Sequence, residues 1–217
     1  MKNKLTLILS ILTISTFAQI KNSNDNFNVQ NGTLNLNSST IDTSPNDKEY
    51  LGDYKPGKVE GFSEQVSYRY NAFSDNFEFL EGSKRKLLQK VNGLKLNFND
   101  GTKYVALNYS DKSNNITSGY LQVLTDSSKK FVLYKSTKIS ISQSLNKNSY
   151  DGSAGSTNYN TEINYYLGDD VNIAFLPKSA KKIEKILNSG VQDLVKANKL
   201  NLSKEEDLIK FVSLLNK

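Results

Sequence analysis

The sequence predicts a mainly β fold: an antiparallel meander of about ten strands, with a helical pair docked on the sheet at the C-terminal end. Between residues 66 and 175, apolar side chains recur at every second position and are separated by Gly, Asn, Asp and Ser. After Pro177 the apolar spacing changes to about 3.6 residues, which is the period of an α-helix. The connections between strands are too short for helical crossovers, so neighbouring strands should be antiparallel.

Alternation of apolar and polar residues places the first strands. Val66, Tyr68 and Tyr70 alternate with polar neighbours, and Phe77 and Phe79 repeat the same spacing. A period of two puts each set on one face of a sheet. Further strands are expected at 86–91, 94–99, 103–109, 119–125, 131–136, 138–145, 159–167 and 171–175.

The strongest turn signal is Asp100 followed by Gly101. This dipeptide favours the positive backbone angles of a type I′ turn, so it predicts a hairpin between the strands on either side. Asn92 and Gly93 predict a second tight turn in the same meander. A sheet this wide should curl, split into a sandwich or close as an open barrel, and the sequence leaves these alternatives open.

The C-terminal helices are predicted from an apolar stripe and a capping pattern. The stripe on the first helix consists of Ala180, Ile183 and Leu187. Ser203 and Glu206 match the S-x-x-E capping box ahead of a second apolar stripe. Residues 191–198 fit a short helix between these two segments.

These patterns divide the chain into four parts. Residues 1–18 form a predicted signal peptide, 19–47 a polar linker or poorly ordered arm, 48–177 the β domain, and 178–217 the helices. For the arm there is an alternative, in which Gly32, Leu34 and Leu36 form a short edge strand of the main sheet. Within the β domain, the polar segment 146–158 predicts a long exposed loop.

The first eighteen residues have the composition of a secretory signal peptide. Lys2 and Lys4 precede an apolar run at 5–17, and Ala18 and Gln19 flank the expected cleavage point. The apolar run is too short to cross a bilayer as a helix. We therefore expect a processed protein in the periplasm or the medium, without a membrane span.

The composition excludes several kinds of chemistry. The chain has no Cys and no His, so thiolate nucleophiles, a lipid anchor on an N-terminal Cys and His-based catalytic triads are all excluded. We predict a non-catalytic binding or structural protein without a cofactor. The alternative is a carboxylate-dependent hydrolase acting on glycans, with Glu78, Glu81 and Glu162 as candidate acids.

A calcium-loop spacing occurs at Asp111, Ser113 and Asn115. The sixth position of such a loop requires glycine and the twelfth an acidic residue, but here they are Ile116 and Gln122. We therefore predict no metal site.

The candidate binding residues are aromatic and basic. The chain has twelve Tyr and ten Phe, and Tyr159, Tyr165 and Tyr166 beside the polar loop could form a face for sugars or an apolar ligand. Packing in the sheet core is the alternative for these tyrosines. The lysines of the first helix, at 178, 181, 182 and 185, fit either a membrane or anion-binding surface or a solvated face. Nucleic acid is not expected as a partner, because the chain carries an export signal and a net charge of only +6.

Several short stretches are distinctive in combination. They are 17–19, 68–75, 101–104, 119–120, 133–135, 176–178 and 206–208. Together they resemble uncharacterised exported β-meander proteins of Flavobacteria and other Bacteroidetes, over residues 50 to 217. The resemblance implies a Gram-negative envelope setting and implies no activity.

We therefore expect a soluble envelope protein whose partner is a protein, a glycan or a lipid. Its oligomeric state is not predicted by the sequence. A cavity lined by aromatic residues with few charges would favour a lipid. Two facing carboxylates in a groove would favour the glycan hydrolase, and a shallow exposed apolar patch would favour protein assembly.

Overall fold

A computed structural model describes residues 28–30, 33–35, 46–144, 156–168, 172–187 and 190–217. The predicted signal peptide, its cleavage point at Ala18 and Gln19, and most of the polar arm and the polar loop lie outside these residues. Strand exceeds helix, at 45% against 19%, and three helices follow the strands. The predicted mainly β fold class is thereby confirmed.

Strands are the commonest secondary structure of the described residues, and the α-helices follow them. The strands are β1 (Asn28–Gln30), β2 (Thr33–Asn35), β3 (Lys55–Val59), β4 (Val66–Asn71), β5 (Asn76–Glu81), β6 (Lys84–Leu87), β7 (Lys95–Phe98), β8 (Lys103–Ser110), β9 (Ile116–Val123), β10 (Val132–Ser144), β11 (Ser156–Gly168) and β12 (Ile173–Phe175). The helices are a 3-10 turn at Asp47–Glu49, α1 (Ala180–Leu187), α2 (Val191–Ala197) and α3 (Glu205–Leu215).

Ten strands form one sheet in the order β12-β11-β10-β9-β8-β7-β3-β4-β5-β6. Neighbours in this order are antiparallel, and β12 also makes a parallel pair with β8 through Ala174 and Ser110. That extra pair closes β8 to β12 into a five-stranded barrel. The strands β1 and β2 pair with each other in a separate two-stranded sheet, so the alternative of an edge strand on the main sheet is wrong.

The meander is interrupted by β3, a strand that the sequence does not predict. It lies between β7 and β4, although Pro56 and Gly57 are both unfavourable inside strands. A Cβ at Gly57 would lie 3.1 Å from Cδ1 of Phe98, so glycine lets that ring pack against the backbone. The predicted strand 86–91 is wrong, because β6 ends at Leu87 and pairs with β5.

Two other local predictions differ from the structure. The predicted strands 131–136 and 138–145 are one continuous strand, β10, which pairs along its whole length with β11. The hairpin of β7 and β8 across Asp100 is confirmed. Of its two central residues Gly101 alone has a positive φ, of 86°, so the turn is not type I′.

Three hydrophobic cores lie in different parts of the fold. The aromatic core lies beside β3 to β7 and includes Tyr68, Tyr70, Phe77, Phe79, Leu96 and Tyr120. The barrel core consists of Val105, Leu107, Tyr109, Leu121, Val132, Tyr134, Tyr166 and Ile173. The helix-facing core joins the outer face of β10 and β11 to the helices and includes Leu133, Tyr165, Leu167, Ile183, Leu208, Phe211 and Val212.

In its described residues the C-terminal segment forms three short helices: the predicted pair, α1 and α3, and between them α2, where a short helix is expected at 191–198. The apolar stripe of α1 is confirmed, because Ile183 is fully buried and Ala180 and Leu187 pack beside it. The predicted capping box does not form: α3 begins at Glu205, and its N-cap Lys204 makes no side-chain capping bond. Within the described residues, no helix has the length and apolar character needed to cross a membrane.

Candidate functional site

The three candidate tyrosines lie on β11 but not on one face. Tyr165 is buried in the helix-facing core, and Tyr166 is buried in the barrel core. Tyr159 packs against the aromatic core, and its hydroxyl accepts a hydrogen bond from Asn46. Since these side chains enter three different cores, the structure does not bring them together as a binding surface.

The hydroxyl of Tyr165 has a structural partner. It donates to Oε2 of Glu205 at 2.9 Å, and Nζ of Lys135 lies 2.9 Å from the same oxygen. Burial, together with the Glu205 carboxylate, raises the pKa of Tyr165 to about 12. This triad fixes the start of α3 on the barrel.

Each of the candidate carboxylates has its own basic partner. Glu78 is buried, accepts from the Tyr50 hydroxyl at 2.6 Å, and pairs with Arg85 at 3.2 Å. Glu81 pairs with Lys86, and Glu162 pairs with Lys112. The hydrolase therefore stays a prediction without an assembled pair of acids among these three residues.

The calcium-loop residues form a turn. Oδ1 of Asp111 accepts from the backbone N–H groups of Ser113 at 2.8 Å and Asn115 at 2.9 Å. The backbone hydrogen bond from Asn115 lowers the pKa of Asp111. The Asp111 carboxylate thus stabilises the β8–β9 connection.

The polar cluster around Asp75 also supports the fold. Asp75 has a positive φ of 53°, and its carboxylate accepts from Tyr70 at 2.6 Å and from Lys90 at 2.7 Å. The backbone N–H of Tyr120 donates to the same carboxylate at 3.2 Å. These hydrogen bonds join the β4–β5 turn to β9. The partners described for the Asp75 carboxylate are groups of the protein, which gives this cluster a structural role.

The structure contains an apolar pocket that the sequence does not predict. It has a volume of about 310 Å³ and lies between α1 and the outer face of β11 and β12. Its lining residues are Lys130, Phe131, Leu167, Gly168, Asn172, Ala174, Phe175, Leu176, Ile183, Ile186 and Leu187. The volume is at the lower end of the usual range for small-molecule sites, about 300–1,000 Å³.

The pocket walls come from elements with different roles. Leu167 and Ala174 are paired across β11 and β12, so their side chains lie on the same face of the sheet. Ile183 closes the opposite side from α1 and is fully buried. The pocket walls therefore belong to the barrel strands and to the helix-facing core, and their positions are fixed by strand pairing and core packing.

Among the residues that the structure describes, the lining contains one charged side chain. Lys130 is exposed, and its Nζ lies 5.1 Å from the centre of the Phe131 ring, within cation–π distance. No acidic residue occurs among the described lining residues. Such a pocket can bury a hydrocarbon chain and place an anionic group beside Lys130.

Another hollow, of about 440 Å³, lies around the loops before β4 and β7. Its lining includes Glu60 and Lys95, which pair with each other at 3.4 Å. Its walls are more polar than those of the apolar pocket, and we therefore take the apolar pocket as the candidate site.

One sequence signal points to the apolar pocket. Ile186 lies off the predicted apolar stripe of α1 and beside lysines, yet it is apolar. Single apolar residues of this kind are common on protein surfaces, so this signal alone does not locate a pocket. Lys130, Phe131 and Ala174 also line the pocket, but no pattern in the sequence marks them, because only the closure of the barrel brings them close to α1.

Comparison with known proteins provides no further identification. No protein family, no curated protein and no solved structure significantly matches the chain.

Proposed function

We propose that this chain is an exported envelope protein that binds the hydrocarbon chain of a lipid in the apolar pocket. The observation that carries the proposal is the 310 Å³ cavity, whose described walls are mainly Leu, Ile, Phe and Ala, with Asn172 and one lysine. Of the three partner classes that the sequence leaves open, a lipid suits such walls best. Each methylene that leaves water for the pocket would contribute about 0.8 kcal/mol.

Decanoate is a suitable probe, because it combines a medium-length hydrocarbon chain with one carboxylate. We expect the purified protein to bind decanoate with a stoichiometry of one in isothermal titration calorimetry. The heat capacity change should be negative, because apolar surface is buried on binding. A protein that binds no decanoate at millimolar concentration would contradict the proposal.

A pocket-filling variant makes the test specific. Ala174 lines the pocket and is exposed to it, so Ala174→Phe should fill the space and reduce decanoate affinity at least about tenfold. Ala197 on α2 is also exposed but does not line the pocket, so Ala197→Phe controls for added bulk. Equal affinities of the two variants would place the binding elsewhere.

Export is the second part of the proposal and rests on the N-terminal sequence. Expression in a Gram-negative host should yield a periplasmic form whose N-terminus is Gln19. A membrane-embedded form that retains Met1 would contradict processing at Ala18. The resemblance to exported Bacteroidetes proteins agrees with this localisation.

A further inference from the structure

The mouth of the apolar pocket has an exposed apolar side chain among lysines. Ile186 lines the pocket and is 56% exposed. The exposed residues Lys182 and Lys185 precede Ile186 on α1: Lys182 lies four residues before it and Lys185 one residue before it. Residues three and four apart share a helix face, so Lys182 lies beside both Ile186 and Lys185.

The acidic residue of α1 does not neutralise this face. Glu184 is turned towards α2, where its two carboxylate oxygens accept from the backbone N and from Nε2 of Gln192, each at 2.8 Å. The hydrogen bond from the Gln192 backbone also lowers the pKa of Glu184. Among the described residues, no carboxylate forms an ion pair with Lys130, Lys182 or Lys185.

We propose that this mouth, formed by Lys130, Lys182, Lys185 and Ile186, docks on the surface of an anionic phospholipid bilayer. The inference rests on the proposed function, because it describes where the pocket obtains its lipid. Lysines near an anionic surface are attracted by its negative potential, and an exposed isoleucine can enter the boundary between headgroups and chains. A lipid chain would then pass from the bilayer into the pocket beside Ile186.

Charge complementarity selects the bilayer over a second copy of the chain. Two copies joined through this face would bring like charges together at the centre of the contact. An acidic protein is the remaining occupant, and its binding would not require the exposed isoleucine to enter an apolar medium. The dependence of binding on lipid composition and on substitution of Ile186 therefore distinguishes a bilayer from a second copy and from an acidic protein.

The test is co-sedimentation of the full chain with vesicles. Vesicles of equal amounts of phosphatidylglycerol and phosphatidylcholine should bind the protein, and vesicles of phosphatidylcholine alone should bind at least about tenfold less. Each lysine near the surface contributes about fivefold in affinity, so Lys182→Glu with Lys185→Glu should weaken binding at least about 25-fold. Binding should also weaken as salt is raised, because salt screens the attraction.

A matched control keeps the net charge equal. Lys196 and Lys210 are exposed lysines on α2 and α3 outside the pocket lining. Lys196→Glu with Lys210→Glu should therefore reduce vesicle binding much less than the change at the mouth. Ile186→Ser should weaken vesicle binding without changing net charge, and circular dichroism should show that all variants are folded.

The outcomes separate this inference from the proposed function. If decanoate binds but anionic vesicles do not, the docking surface is wrong and the ligand pocket stands. If vesicles bind through Lys182 and Lys185 but decanoate does not bind, the pocket proposal fails and the docking surface stands. Equal losses in the two double variants, or no loss with Ile186→Ser, would overturn the docking proposal.

Discussion

The side-chain amide of Asn216 pairs with the backbone of Phe131 in both directions. Nδ2 of Asn216 donates to the carbonyl oxygen of Phe131 at 2.8 Å, and its Oδ1 accepts from the N–H of Phe131 at 2.9 Å. Asn216 is the C-cap of α3, whereas Phe131 lies just before β10 and lines the pocket. The end of the last helix thus fixes one wall of the proposed lipid site.

Replacement of Asn216 by alanine tests this connection. The variant leaves the N–H and the carbonyl group of Phe131 without their partner, so we expect a loss of about 1–3 kcal/mol in the free energy of unfolding. Decanoate affinity should also fall, because the Phe131 wall is less well fixed. Urea unfolding followed by circular dichroism measures the first effect and calorimetry the second.

The neighbouring residue provides the control for this variant. Lys217 is exposed, so Lys217→Ala should change stability by less than about 0.5 kcal/mol. An Asn216→Ala protein as stable as Lys217→Ala would show that the paired hydrogen bonds contribute nothing measurable to the fold.

Gly119 on β9 has no room for a side chain. A Cβ at this position would lie 2.7 Å from Oδ2 of Asp75 and 3.0 Å from the hydroxyl oxygen of Tyr109. Gly119→Ala should therefore push the Asp75 carboxylate away from Tyr70 and Lys90. We expect a loss of about 1–3 kcal/mol in the free energy of unfolding, as for other overpacked sites.

Ser118, the preceding residue on the same strand, is exposed and serves for comparison. Ser118→Ala should stay within about 0.5 kcal/mol of the unchanged protein in urea unfolding. If both variants had the same free energy of unfolding, the close approach of Asp75 to Gly119 would not restrict the residue at this position.

Alkaline pH should destabilise the fold through its buried tyrosines. Burial raises the pKa of Tyr68 and of Tyr104 to about 12, and it also raises the pKa of Tyr70 and Tyr120. Above pH 10 the unfolded chain releases these protons while the folded chain retains them, so the unfolded state is favoured. Between pH 10 and 12 each such tyrosine should remove about 1.4 kcal/mol of stability per pH unit.

Absorbance at 295 nm, measured together with circular dichroism, follows this effect. The tyrosines whose pKa is raised by burial, Tyr68, Tyr70, Tyr104 and Tyr120, should ionise only as the fold is lost. Reversible ionisation of all twelve tyrosines near pH 10 in the folded protein would contradict the burial described above.

Local patterns in the sequence were sufficient for much of the fold. The alternation at Val66, Tyr68 and Tyr70 corresponds to β4, and the stripe through Ile183 corresponds to α1. One face of each element packs against a core, so its apolar residues recur at a regular spacing that a short stretch of sequence already shows. The strand β3 is not predictable in this way, since Pro56 and Gly57 are placed by their partners and not by propensity.

The candidate site was less predictable than the fold. Tyr165 and Tyr166 are adjacent on a strand, so the period of two already places them on opposite faces. The pocket depends on the pairing of Ala174 with Ser110 and on the packing of Ile183, two contacts distant in sequence. No local pattern encodes such contacts, so the pocket is not predictable from the sequence.

The most direct measurement of the central claim is an NMR experiment on methyl-labelled protein with unlabelled decanoate. The account predicts intermolecular nuclear Overhauser effects from the decanoate chain to the methyl groups of Ile183, Ile186 and Leu187, and their loss in Ala174→Phe. Contacts confined to methyl groups of the aromatic core, or none at saturating decanoate, would contradict it.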